Sequence, residues 1–208
     1  MSVSGVSELP IVDPPSAGFR WVRELIHGRQ NFTPKRLVDP GPSPDQLKGL
    51  LEAAAAAPDH GELTPWRFIR IAEGGRQRLG EIFRDALLER DGNATAQQQL
   101  DAQAKARRAP CLLLAVVDLG PRERPIPDAE RLISLGCAIQ NMLLQARAFG
   151  YGSGLSSGQA LGSTALRHAF GLGRLELATC FVSFGTIAKG RQVRCRPCAD
   201  QILSDFIG

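Results

Sequence analysis

The sequence predicts a single domain of layered helices and strands, of the mixed α/β or α+β class. Several segments repeat apolar residues at helical spacing, whereas three short apolar runs have the length and composition of strands. The two kinds of segment alternate along the 208 residues, and no internal repeat or low-complexity linker divides them. We therefore expect residues 1–18 to be a flexible lead-in and residues 19–208 to form one domain.

The first half of the chain predicts helices on both sides of one strand. Ser43 followed by Pro44 is typical of an N-cap and first helical position. Residues 65–71 alternate in polarity as a strand does. The segments with helical spacing are 21–28, the one opening at Ser43, and 75–90. Residues 93–108 are polar nearly all round, which predicts either an exposed helix or a mobile segment.

The second half begins with a continuous apolar run, CLLLAVVDL, after Pro110. Such a run is typical of a strand covered on both faces. Residues 177–186 form a similar run, and residues 127–150 predict the longest helix. The remaining predictions are a glycine–serine loop at 151–158, a short helix capped by Ser163 and ending at Gly171, and a last short helix in the tail sequence CRPCADQILSDF.

Composition excludes several classes of function. The net charge is only +4, the basic residues are scattered, and Tyr and Trp total three, so a nucleic-acid surface is not expected. No run approaches the ~20 apolar residues of a membrane span, and the N-terminus lacks the pattern of a signal peptide. Five cysteines are an odd number, and three lie in apolar runs, which favours free thiols in a reducing cytoplasm.

The glycine–serine segment superficially matches a dinucleotide-binding fingerprint at residues 152–158. That fingerprint requires a preceding strand, whereas here a long helix precedes it, so this interpretation fails. Two interpretations stay open. The bare backbone could admit a flat ligand with Ser156 and Ser157 as hydroxyl donors, or the segment could be a plain connection.

A basic segment at residues 27–37 contains Arg29, Lys35 and Arg36 among polar residues. A guanidinium beside an amide can bind a phosphate or the carbonyl edge of a ring. The alternative is a solvated linker between two helices.

His60 stands in a turn that follows the alanine-rich helix, in the sequence APDH. It could be a turn histidine bonded to backbone, or it could present a ring nitrogen to a ligand. No histidine pair has metal-ligand spacing, and no Ser-His-Asp arrangement is evident. A single CxxC at Cys195 and Cys198 lacks the partners of a zinc site and the context of a thioredoxin, which favours a surface tail.

These features together resemble the flavin-dependent nitroreductase family, in its small branch. Arg29-Gln30-Asn31 stands where the family often has a doubled Arg followed by Ser or Asn. The APDH turn before Pro65-Trp66 is similar to that of the small branch. The helix and glycine turn GCAIQNMLLQARAFGYGSGLSSG and the strand FVSFGT follow in the family's order. The resemblance covers residues 21–190.

The resemblance implies an α+β fold, with a mostly antiparallel central sheet flanked by helices, in an intertwined homodimer. It implies one FMN per subunit at the dimer interface, with the early segment often facing the glycine loop of the opposite subunit. The cofactor-binding residues that it implies are Arg29, Gln30, Asn31, His60, Leu155, Ser156 and Ser157. Lys189 and Arg191 are weaker phosphate candidates, and no catalytic side chain or metal is implied.

The implied activity is transfer of a hydride from NAD(P)H to FMN and of electrons onward to a nitroaromatic, quinone or similar acceptor. One site shared by both substrates predicts ping-pong kinetics, with Arg29 the best candidate for a charge near the flavin N1. Gln30, Asn31 and Ala56 depart from the family pattern and remove cations. Two alternatives therefore remain: a flavin-binding homodimer without nitroreductase activity, serving a specific metabolite or a partner protein, or an interaction module whose flavin site has decayed.

Overall fold

The computed structural model describes residues 17–120, 125–190, 192 and 194–207. Residues 1–16 of the predicted lead-in lie outside this description. The helices are α1 (Ala17–Gly28), α2 (Pro44–Ala55), α3 (Arg76–Arg90), α4 (Ala96–Ala104), α5 (Asp128–Ala148) and α6 (Thr164–Ala169). The strands are β1 (Leu37–Val38), β2 (Trp66–Arg70), β3 (Cys111–Asp118), β4 (Gly152–Ser156) and β5 (Glu176–Ile187).

Capping explains where two of the helices begin. Ser43 Oγ accepts from the Gln46 N–H at 3.2 Å, and Gln46 Oε1 accepts from the Ser43 N–H at 2.9 Å. This reciprocal pair satisfies two N–H groups that a helix start would leave unpaired, and it confirms the predicted start of α2. Thr95 and Gln98 form the same arrangement before α4. The polar segment 93–108 is therefore helical, and it buries Ala102 and Ala106.

The sheet is antiparallel throughout its strand pairings, with β5 at its centre. β3 pairs along β5, and β2 pairs with β3. β4 and β1 pair with the C-terminal half of β5. The prediction of a loop at 151–158 was wrong for its first part, because residues 152–156 pair with β5 as a strand. The predicted tail helix was also wrong, since only a single 3-10 turn, Ala199–Gln201, forms there.

Helices cover both faces of the sheet, which confirms the predicted burial of the CLLLAVVDL run. Leu113, Ala115 and Val117 of β3 pack with α2 and α5 on one face. Leu112, Leu114 and Val116, listed here as the opposite face, pack with α3, α6 and the turn after α4. The fold therefore has three layers, and the space between α3, α4 and the sheet belongs to the second interface.

The cysteines are free thiols. Cys180 is buried, Cys111 and Cys137 are half-buried, and Cys195 and Cys198 are exposed. Burial raises the pKa of the Cys111 and Cys180 thiols above the ordinary value. Among the described residues, no helix is long and apolar enough to cross a membrane.

Candidate functional site

The basic segment after α1 lies directly against β4. The Phe32 N–H donates to Ser153 O at 2.9 Å, and Asn31 pairs with Ser153 in a parallel bridge. The Leu155 N–H donates to Asn31 Oδ1 at 2.7 Å. The segment is therefore an extension of the sheet edge and not a solvated linker. The two motifs meet within one chain, so a second copy is not needed to bring them together, in contrast to the expectation.

Two glycines of β4 permit this close approach. A Cβ on Gly154 would lie 1.9 Å from the carbonyl oxygen of Phe32. A Cβ on Gly152 would lie 2.6 Å from Ile187 Cγ1 and 2.8 Å from Leu37 Cδ2. These glycines make room for the chain's own backbone and side chains, which is a different reason from either interpretation of the glycine segment.

A cavity of about 680 Å³ opens beside the end of β4. One wall is formed by residues 156–160 and another by residues 33–35, just beyond Asn31. Side chains of α3, α4 and the turn after α4 complete it. Apolar side chains of its lining are Phe83, Leu87, Ala102, Leu112, Leu161 and Phe181. The volume is in the range of small-molecule sites, and of the predicted residues it contains Ser156 and Ser157.

The cavity lining is strongly cationic. It contains Lys35, Arg90, Lys105 and Arg108 but a single acid, Asp101. None of these four cations forms an ion pair with a residue that the structure describes. Sequence reasoning missed Arg90, Lys105 and Arg108. The only available signal was the basic end of the 93–108 segment.

A second cationic group lies at the C-terminal end of α1. Arg196 Nη2 donates to the carbonyl oxygen of Arg29 at 3.1 Å. Burial lowers the pKa of the half-buried Arg29, and the nearby charge of Arg196 lowers it further. Arg147 also lies close, since a Cβ on Gly28 would be 2.4 Å from Arg147 Nη2. No carboxylate of the described residues pairs with Arg29 or Arg196, so this is a place where an anion would relieve repulsion.

Arg196 is also a residue that sequence reasoning missed. It stands inside CRPC, which was interpreted as a surface tail. The weaker candidate Lys189 is exposed, and Arg191 lies outside the described residues.

Gln30 contributes an unusual polar atom to the same region. Its Oε1 is buried and has no hydrogen-bond partner among the described atoms. A buried acceptor left in this state costs roughly 1–3 kcal/mol. An N–H or O–H donor on a bound ligand would remove that cost.

The His60 turn does not line the cavity. His60 is exposed, and its Nδ1 lies 2.5 Å from Glu130 Oε2 at the start of α5. The turn has three residues with positive φ, namely Gly61, Glu62 and Thr64, and Asp59 Oδ2 accepts from the Thr64 N–H at 2.6 Å. This tight turn presents His60 outward, so a role for His60 at a cofactor stays a prediction that needs a second copy.

Leu155 stands between the two motifs. Its side chain is 38% exposed, while its N–H is used by Asn31. Within one chain the fold therefore brings Asn31 and Leu155 together and lines the cavity with Ser156 and Ser157.

Comparisons with known proteins agree with this geometry. A sequence profile described as the nitroreductase family matches residues 31–186. A protein of Haemophilus influenzae named "Putative NAD(P)H nitroreductase" is 33% identical over 162 residues, which are 78% of this chain and 87% of that protein.

Solved structures share the fold. A nitroreductase-like family protein from Bacillus cereus superposes with a TM-score of 0.78 at 20% identity, covering 90% of this chain and 96% of that one. The FMN-dependent nitroreductase NfnB from Mycobacterium smegmatis, solved with NADPH, superposes with a TM-score of 0.67 at 16% identity. That match covers 90% of this chain and 98% of NfnB.

Proposed function

The chain belongs to the nitroreductase family, and from this premise we propose that it is an FMN-dependent oxidoreductase using NAD(P)H. Its acceptor would be a nitroaromatic, a quinone or a similar compound. The observation that carries the proposal is the cavity of about 680 Å³, which adjoins the two motifs held together by Asn31. NfnB, which has the same fold, is named as FMN-dependent and was solved with NADPH.

The residues present fit FMN. Arg29 and Arg196 would hold the phosphate, since they are close together and have no described carboxylate between them. Gln30 Oε1 would accept from a ribityl hydroxyl or from the ring N3–H, which would satisfy a buried oxygen. Ser156 and Ser157 would lie at the ring. FMN, when bound, supplies the chemistry of accepting a hydride and passing electrons on.

The side chains around the cavity would bind and orient the reactants and exclude water. The apolar lining lowers the local dielectric, which strengthens every charge interaction inside. Lys35, next to the Asn31 segment, is placed to stabilise the negative charge that reduction puts on the ring. This replaces the expected role of Arg29, which does not line the cavity. No described side chain is needed as a nucleophile.

A single cavity next to the flavin residues supports ping-pong kinetics, because donor and acceptor would occupy it in turn. Initial rates measured against NADH at several acceptor concentrations would then give parallel double-reciprocal lines. Intersecting lines would instead require both reactants to be bound together.

The test of the function is the visible spectrum of the purified protein. We expect flavin absorption bands that bleach on anaerobic addition of NADH or NADPH, and FMN in the acid extract. A yellow protein that neither nucleotide bleaches would support the alternative of a flavin-binding dimer without nitroreductase activity. A colourless protein that ignores added FMN would overturn the proposal in favour of an interaction module.

We further propose a homodimer, which the unpartnered apolar surface supports. α1 has no buried residue, although Phe19, Trp21, Val22 and Ile26 are 47–59% exposed. The tail adds Ile202, Leu203, Phe206 and Ile207, which are 72–96% exposed. Contiguous apolar surface of this kind marks an interface, and its burial by a second copy would also bring that copy's His60 turn closer to a flavin.

The dimer predicts a specific effect of charge on α1. The double variant Val22→Asp and Ile26→Asp should shift the light-scattering mass from two chains to one, because two carboxylates would be buried without partners. Arg20→Asp places the same acid on the opposite face of α1 and should leave the mass at two chains. A wild-type mass of one chain at micromolar concentration would contradict the proposal.

A further inference from the structure

We propose that the electron acceptor of this protein is an organic anion, with a planar apolar body and a carboxylate or similar acid group that binds Arg90 and Arg108. The inference rests on the proposed function, because it concerns the occupant of the same cavity. It adds the chemical class of the acceptor and the residues that recognise it.

The two arginines occupy the wall opposite the predicted flavin residues. Arg90 is the last residue of α3, and Arg108 ends the turn that follows α4. Ser156, Ser157 and Gly158 line the other side of the cavity. An acid group held at the arginines would leave the rest of the molecule directed across the apolar lining toward the flavin side. A guanidinium is suited to this task because it binds a carboxylate through two parallel hydrogen bonds.

The charge balance of the cavity favours an anionic occupant. Lys35 and Lys105 add to the two arginines, whereas Asp101 is the only acid in the lining. Asp101 Oδ1 accepts from Gln97 Nε2 at 3.1 Å and forms no ion pair with the described cations. Elsewhere the chain does pair its arginines: Arg67 binds Glu176 at 2.8 Å and Arg84 binds Asp85 at 2.7 Å.

Arg108 distinguishes this proposal from a purely structural explanation. Arg90 at the end of α3 stabilises the helix dipole, so its presence alone needs no ligand. Arg108 is half-buried, lines the cavity and has no described ion-pair partner. Its neighbour Arg107 lies outside this cavity and binds Glu73 at 3.1 Å. A partly desolvated guanidinium without a counter-ion costs free energy, which the acid group of a ligand would offset.

The experiment compares 4-nitrobenzoate with 4-nitrobenzamide, which has nearly the same shape but no charge. In Arg108→Gln we expect the ratio of kcat/KM for the acid to that for the amide to fall about tenfold, because one charge-assisted pair is lost. Arg90→Gln should lower the ratio in the same direction. Arg107→Gln is the matched control, since it removes the same charge one residue away and should leave the ratio within about twofold.

Three outcomes would overturn the proposal. The first is an unchanged ratio in Arg108→Gln and Arg90→Gln. The second is a loss of FMN affinity in these variants without a change in the ratio, which would make the arginines cofactor ligands. The third is a rise in KM for NADPH but not for NADH with the ratio unchanged, which would assign them to the nucleotide phosphate.

A binding measurement separates this inference from the proposed function. Calorimetric titration of the FMN-supplemented protein with 4-methylbenzoate, which has no nitro group to reduce, should show binding that weakens about tenfold in Arg108→Gln. Arg108-dependent binding in a protein that reduces neither nitro compound would support the anion site and refute the oxidoreductase. Turnover of both compounds without Arg108-dependent binding would support the oxidoreductase and refute the anion site.

Discussion

Replacing Gly154 with alanine is expected to destabilise the fold by about 3 kcal/mol and to abolish retention of FMN. The new Cβ would lie 1.9 Å from the carbonyl oxygen of Phe32 and 2.9 Å from its carbonyl carbon. These are backbone atoms, so relief requires the whole segment after α1 to move away from β4. That movement would break the Phe32–Ser153 and Asn31–Leu155 hydrogen bonds and would displace Arg29, Gln30 and Lys35 together.

Urea unfolding and a fluorescence titration with FMN would measure the two effects. Gly162→Ala is the control, because a Cβ there meets nothing within 4 Å. We expect that control to change the free energy of unfolding by less than about 0.5 kcal/mol. A Gly154→Ala protein with wild-type stability and wild-type FMN affinity would refute the close contact between the early segment and β4.

The same contact explains which parts of the fold could be predicted from sequence. β3 and β5 were predicted because their apolar runs can be stable only when both faces are covered. α2 was predicted because Ser43 and Gln46 carry a complete cap in four residues. In each case the information is local to the element.

β4 was not predicted because its strand character is not local. Glycine and serine have low strand propensity, and this segment forms a strand only because it pairs with residues 181–185 of β5. The cationic sites were missed for a related reason. The chain has 25 Lys and Arg residues, and nothing local distinguishes Arg108, at the cavity, from Arg107, which faces Glu73. Resemblance to a family located Arg29 and Ser156, whereas Arg196 comes near Arg29 only through the fold.

Neutralising the Arg29–Arg196 pair gives the second large expected effect. Arg29→Gln and Arg196→Gln should each weaken FMN binding about tenfold to a hundredfold, because each removes a charge-assisted bond to the phosphate. The double variant should lose less than the sum of the two, since the first substitution also removes the repulsion between the guanidinium groups. Fluorescence titration with FMN measures each dissociation constant, and Arg78→Gln, which alters an exposed pair with Glu81, is the matched control for net charge.

Riboflavin separates recognition of the phosphate from support of the fold, because it has the same ring and ribityl chain without the phosphate. If Arg29 and Arg196 bind the phosphate, the variants should weaken FMN binding strongly and riboflavin binding by less than about twofold. Arg196 also holds the backbone of Arg29, so a structural role alone would displace the segment and weaken both ligands equally. Equal losses would therefore reject the phosphate assignment, even if the protein proved to be a flavoprotein. A selective loss of FMN would mean that Arg196 supplies, from the far end of the chain, the second cation that Gln30 does not provide.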